Sequence, residues 1–152
     1  MGSRETILAA LFAALQRIAD IELIERERIN KLDDDTKTAV ILYDGDLTGG
    51  TDRPAAVTMR RNPTFKATLE PRIWCYVEGK HSQIGNLASD LYNKVVSSVW
   101  TDQQFLDVLA QHGAGLQLAG MMSLVTSTAG ASASKAFIIL VEIPFDLDPR
   151  NP

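Results

Sequence analysis

Only one of the 152 residues is cysteine. Neither a disulfide framework nor a multi-thiolate metal site can therefore be built within one chain, which fits a reducing compartment. Histidine is nearly as scarce: His81 and His112 are the two present, and neither has a second His, Asp or Glu at metal-ligand spacing. Basic charge is also in short supply. Fifteen Lys and Arg against nineteen Asp and Glu leave a net charge of −4, with the basic residues scattered along the chain. Proteins whose main task is gripping nucleic acid cluster their cations to displace phosphate counterions, so that class is disfavoured. No apolar run approaches the roughly 20 residues of a bilayer-spanning helix. Glu5 sits immediately before the first apolar stretch and no cleavage signature follows, so no signal peptide is expected. The expectation is a chain that is soluble and intracellular at synthesis.

What is present is an ordinary globular composition, with 45% hydrophobic and 22% charged residues. The length argues for one domain, able to bury about 70% of its unfolded surface. Ile7, Leu8, Leu11, Leu15 and Ile18 recur on one face and predict a helix over 4–19, with Ser3 as N-cap. Residues 21–29 read as a twisted, partly exposed strand, because Glu25 and Glu27 share the face of Ile21, Leu23 and Ile29. Residues 38–43 are apolar on both faces, as in a central strand, and Asp44-Gly45 closes them in a turn. A polar, glycine-containing loop is expected over 46–54, a short strand over 56–60, and a longer strand over 67–78. Pro71 places that point of the longer strand at an edge or a bulge.

Ile84, Leu87, Leu91, Val95 and Val99 predict a helix over 83–99, capped by Ser82 or Asn86. A further helix over 102–112 opens on a capping box formed by Thr101 and Gln104 and stops at Gly113. Strands over 116–126 and 135–145 finish the chain. A Ser/Ala/Gly/Thr loop separates them, and a polar tail covers 146–152. Strands with helices grouped rather than alternating predict an α+β fold. The expected architecture is a single, mainly antiparallel sheet packed against an N-terminal helix and a central helix pair.

No catalytic constellation emerges. Cys75 lies mid-strand, away from the helix N-terminus or cation that would activate a thiol, and reads as a buried small hydrophobe. The spacing of Asp44, Asp46, Thr48, Gly49 and Asp52 echoes a calcium loop. Position 12 is Ala55, however, and the flanking helices are missing, so a solvated acidic loop is the better reading. Gly113-Ala114-Gly115 runs from helix into strand, the wrong order for a phosphate loop. Arg60-Arg61 reads as a solvated strand end, or as a surface for an acidic partner. No cofactor or metal is expected, and no enzymatic activity.

The overall pattern resembles the tail terminator and related tail-completion or neck proteins of tailed bacteriophages. The stretches that carry it are the amphipathic helix over 7–15, Ile41-Leu42-Tyr43-Asp44-Gly45, Pro71-Arg72-Ile73-Trp74, and Ile84-Gly85-Asn86-Leu87 opening a helix. Asp102, Leu106 and a closing apolar strand complete the pattern, which spans nearly the whole chain. The resemblance implies a sheet flanked by helices and a homo-oligomeric, hexameric ring in the virion, assembled in the host cytoplasm. Such a ring caps the tail tube, ends its polymerisation and meets the head connector, while genomic DNA passes through without specific binding and no membrane is involved. Asp44, Asp46, Asp52, Arg60 and Arg61 are the candidate partner-binding residues. A head-completion or connector-adaptor protein is the near alternative. A small-molecule-binding or enzymatic α+β domain is the alternative of another class.

Overall fold

The computed structural model describes residues 2–49 and 65–148. Helix α1 (Ser3–Gln16) forms where the apolar residues recur, and Ile7, Leu8, Leu11 and Leu15 are at most 1% exposed. Gly2, rather than Ser3, holds its N-cap position, in extended conformation. Ser3 is already helical, and its Oγ lies 3.2 Å from Nδ1 of His112. The helix stops at Gln16, short of the expected end, and Asp20 follows at φ 66° to redirect the chain.

The strand expected over 21–29 shrinks to β1 (Leu23–Arg26). Glu27 takes a left-handed φ of 54° and ends it, leaving Ile29 fully exposed. Strand β1 runs parallel to β2 (Thr38–Gly49), while β2 with β3 (Phe65–Lys80), β3 with β5 (Ser132–Leu147) and β5 with β4 (Gln117–Ala129) are antiparallel. Among the described residues these strands form one five-stranded sheet in the order β1-β2-β3-β5-β4. The strand expected over 56–60 lies outside the described residues.

Asp44-Gly45 does not turn the chain, contrary to the sequence reading. Strand β2 continues through it with a bulge, its register slipping by one residue between Tyr43 and Asp46 opposite Pro71. Gly45 sits at φ 67°, and a Cβ there would lie within 1.9 Å of the Glu70 carbonyl oxygen, so only glycine fits. Pro71 sits at a bulge in the central strand and not at an edge, where its missing N–H coincides with the interruption. The loop expected over 126–134 is likewise strand on both arms. Residues 132–134 pair with Glu78, Gly79 and Lys80 of β3, and Gly130 and Ala131 alone make the turn. Strand β5 also extends into the expected tail, pairing Asp146 with Lys66.

A 3₁₀ turn (His81–Gln83) leads into α2 (Ile84–Thr101) and then α3 (Gln103–Gln111). Neither Ser82 nor Asn86 caps α2; Gln83 occupies the cap position. The cap of α3 is Asp102, whose Oδ1 accepts from the Phe105 N–H at 2.9 Å. Thr101 still belongs to α2, its hydroxyl donating to the Ser97 carbonyl. An ionised carboxylate is the stronger acceptor at a helix N-terminus, and Arg17 fixes it by two hydrogen bonds of 2.7 Å. Gly113, at φ 60°, ends α3 as the sequence indicates. Its N–H reaches the Ala110 carbonyl and that of Ala114 the Leu109 carbonyl, the paired bonds of a Schellman stop.

The helices lie on one face of the sheet. Their apolar stripes meet Val40, Leu42, Leu69, Ile73, Cys75, Val77, Phe137, Ile139, Val141, Ile143 and Phe145 in one core. The other face, formed by the alternate residues of the same strands, carries no helix among the described residues.

Candidate functional site

The face opposite the described helices is apolar at its centre. Ile41 stands opposite Trp74, Trp74 opposite Ile138, and Tyr76 opposite Ala136. Tyr43 joins this row from β2. The Trp74 and Tyr76 rings stack with centroids 5.8 Å apart and planes 10° from parallel. Two residues apart on one strand, they project from the same side of the pleat, which places the rings in register.

Because β1 and β2 are parallel, the chain must return along the sheet between them, and residues 27–37 do so over this face. The Tyr43 hydroxyl donates to the Arg28 carbonyl at 2.8 Å and holds the segment down. Glu27 N–H bonds the Leu42 carbonyl, and the Lys37 carbonyl accepts from the Glu78 N–H, both at 2.8 Å. Between the crossover and the sheet lies a groove of about 590 Å³. Its floor is Ile41, Tyr43, Trp74, Tyr76 and Ala136, and its wall is residues 30–34. Glu78 also lines it, accepting from Tyr76 Oη at 3.1 Å and from Lys37 Nζ at 3.0 Å. The Lys37 hydrogen bond holds the Glu78 carboxyl below the usual carboxylate range. Burial pushes the Tyr43 and Tyr76 hydroxyls up.

A second polar centre joins α1 to the β1–β2 edge. Arg26 makes paired bonds to Asp44, at 2.8 and 2.9 Å, and to Glu5, at 2.8 and 3.0 Å. Arg26 in turn holds the Glu5 carboxyl below its ordinary value. Of the residues singled out by sequence, Asp44 is thus committed to an internal ion-pair network and is not part of a solvated loop. Asp46 is exposed on β2 opposite Glu70. Asp52, Arg60 and Arg61 lie outside the described residues, and the two described members of the set, Asp44 and Asp46, both belong to β2.

Cys75 is buried on the helix side, and burial raises its thiol far above the reactive range. His81 donates its backbone N–H to the Ala131 carbonyl at 2.8 Å, fastening the β4–β5 turn. Among the described residues no three His, Cys, Asp or Glu side chains are grouped to hold a metal ion. No described helix is long and apolar enough to cross a membrane. The groove escapes a motif search because its residues come from β2, β3, β5 and the crossover. The available signal is the Arg72, Trp74, Tyr76, Glu78 alternation, which separates a polar-aromatic row from the aliphatic Ile73, Cys75, Val77 row.

The fold is α+β, a mixed sheet with the described helices on one face. No protein-family model matches the chain, and no curated protein matches it.

Proposed function

We propose that the chain is a subunit of a homo-oligomeric ring of the kind that completes the tails of tailed bacteriophages. In this reading it caps the tail tube and presents a docking face to the head connector. The observation that carries the assembly reading is strand β4. Among the described residues it is an edge strand, and no charged residue occurs in the sequence between Gly113 and Ser134. It also carries three of the large hydrophobic side chains left exposed: Leu118 at 42%, Met121 at 50% and Met122 at 48%. Apolar side chains gathered along one uncharged edge favour a subunit contact over a solvated surface. Two register slips in β4, at Leu118/Gly120 and Ser123/Thr126, interrupt its free ladder. Neighbouring subunits therefore meet chiefly through side chains rather than a continuous added strand. The element order, from helix to strands to helix pair to closing strands, supports the tail-completion class within assembly proteins, by analogy alone.

Light scattering followed by negative-stain microscopy tests this. A closed ring of about six subunits, on the order of 100 kDa, is expected. Met121→Asp with Met122→Asp should return it to the 16.6 kDa chain. A monomer at every concentration that also ignores the ends of assembled tail tubes would overturn the reading. The groove on the open face favours a second reading, a binding module for a small ligand or peptide.

A further inference from the structure

The groove is built from two chemistries that suit one type of ligand. Its floor presents Tyr43, Trp74 and Tyr76, whose ring faces carry negative electrostatic potential. Its lining holds three carboxylates, Asp33, Asp34 and Glu78, against one ammonium, Lys31. Glu78 is already engaged by Lys37 and Tyr76. Asp33 and Asp34 are exposed on the crossover and line the same groove as the aromatic floor.

We propose that this groove binds an arginine side chain presented by a partner protein. The planar guanidinium lies against the aromatic floor while its N–H fork meets the Asp33 and Asp34 carboxylates. Guanidinium is favoured over ammonium because it is planar, weakly hydrated, and pairs with a carboxylate through two bonds at once. A polypeptide is favoured over a free guanidino compound because the apolar surface does not end at the groove. Through Ala136 it continues to Ile138, Leu140 and Met122 on the same face, a strip that a small cation leaves bare and residues flanking an arginine cover. The volume of about 590 Å³ exceeds what one side chain fills and falls within the roughly 300–1,000 Å³ of ligand sites. The inference stands on the groove alone and does not rest on ring formation at β4.

The test uses the full chain carrying Trp100→Phe, so that Trp74 is the remaining indole. The probe is an acetylated, amidated Leu-Arg-Leu peptide, read by Trp74 fluorescence. A saturable change is expected. It should weaken by about tenfold or more when citrulline, the uncharged isostere, replaces arginine. A similar loss is expected in the Asp33→Asn, Asp34→Asn variant, whose far-ultraviolet circular dichroism should match the parent because both positions are exposed. Equal binding of the citrulline peptide would overturn the cation assignment in favour of an apolar site. Equal binding by the double variant would remove the carboxylates from the site. Free arginine amide binding as tightly as the peptide would assign the groove to a small molecule and overturn the protein partner. No saturable change at millimolar peptide would overturn the proposal outright. Ring mass, read at β4, is unaffected by any of these results, so the two readings fail separately.

Discussion

The two faces of the sheet share the same strands and hold to opposite rules. On the helix side, Ile73, Cys75 and Val77 are at most 2% exposed and meet three helices. One residue along in each case, Trp74 and Tyr76 face a groove bounded by an eleven-residue crossover, and both remain partly exposed. The helix side therefore carries the stability of the fold, while the open face retains surface for something else. An aromatic pair is a poor choice for water and a good one for a partner.

The sharpest challenge to that division is a matched pair of truncations on β5 and β3. Phe137→Ala on the helix side, where the ring packs against Tyr92, should cost about 3–5 kcal/mol. Trp74→Ala on the open face should cost about 1–2 kcal/mol, from lost stacking and partial burial. Urea unfolding of both variants measures the gap, and equal costs would mean that the open face is core. Between them falls Gly45→Ala, which strains the bulge that sets the pleat of β2 for both faces. A left-handed φ and a backbone collision predict about 2–3 kcal/mol.

Smaller effects come from the polar joints at the margins. Asp102→Ala removes the α3 cap and the Arg17 pair together, and should cost about 1–2 kcal/mol. Asp102→Asn keeps a capping oxygen and should lose less than about 1 kcal/mol. Acid sharpens the same point. Hydrogen bonds from Arg17 hold Asp102 below its ordinary value, Arg26 does so for Glu5, and Lys37 for Glu78. Each carboxylate binds fewer protons folded than unfolded. Its contribution is complete above the ordinary carboxylate range, about pH 4, and is lost as pH falls through the depressed folded values. Thermal melts from neutral to acid should therefore decline at the low end, with a smaller decline in Asp102→Asn. Parallel curves for parent and variant would remove Asp102 from the account.

Much of this architecture was legible in residue order. Helical spacing marked Ile7, Leu8, Leu11 and Leu15, the α2 stripe followed from Leu91, Val95 and Val99, and Gly113 stopped α3 where expected. These are local signals, since burial of one face imposes a period on neighbouring residues. The misread places share a different cause. Asp44-Gly45 looks like a turn and is a bulge, and residues 126–134 look like a loop and are two paired arms. A strand is decided by the neighbour that satisfies its backbone, and Glu70 or Glu78 is distant in sequence from the chain it pairs with. The caps failed for a similar reason, because Asp102 displaces Thr101 with the help of Arg17, eighty-five positions away.

By itself, then, the sequence determined an α+β chain with amphipathic helices, two-faced central strands and no clustered thiols or cations. Periodicity and composition carry that information without any tertiary contact. Only the tertiary structure decided which face the helices cover and where the 27–37 return crosses. It thereby made Tyr43, Trp74 and Tyr76 the floor of a groove walled by Asp33 and Asp34. Alternation along a strand states that two faces differ; only packing against other elements settles which of them is left open.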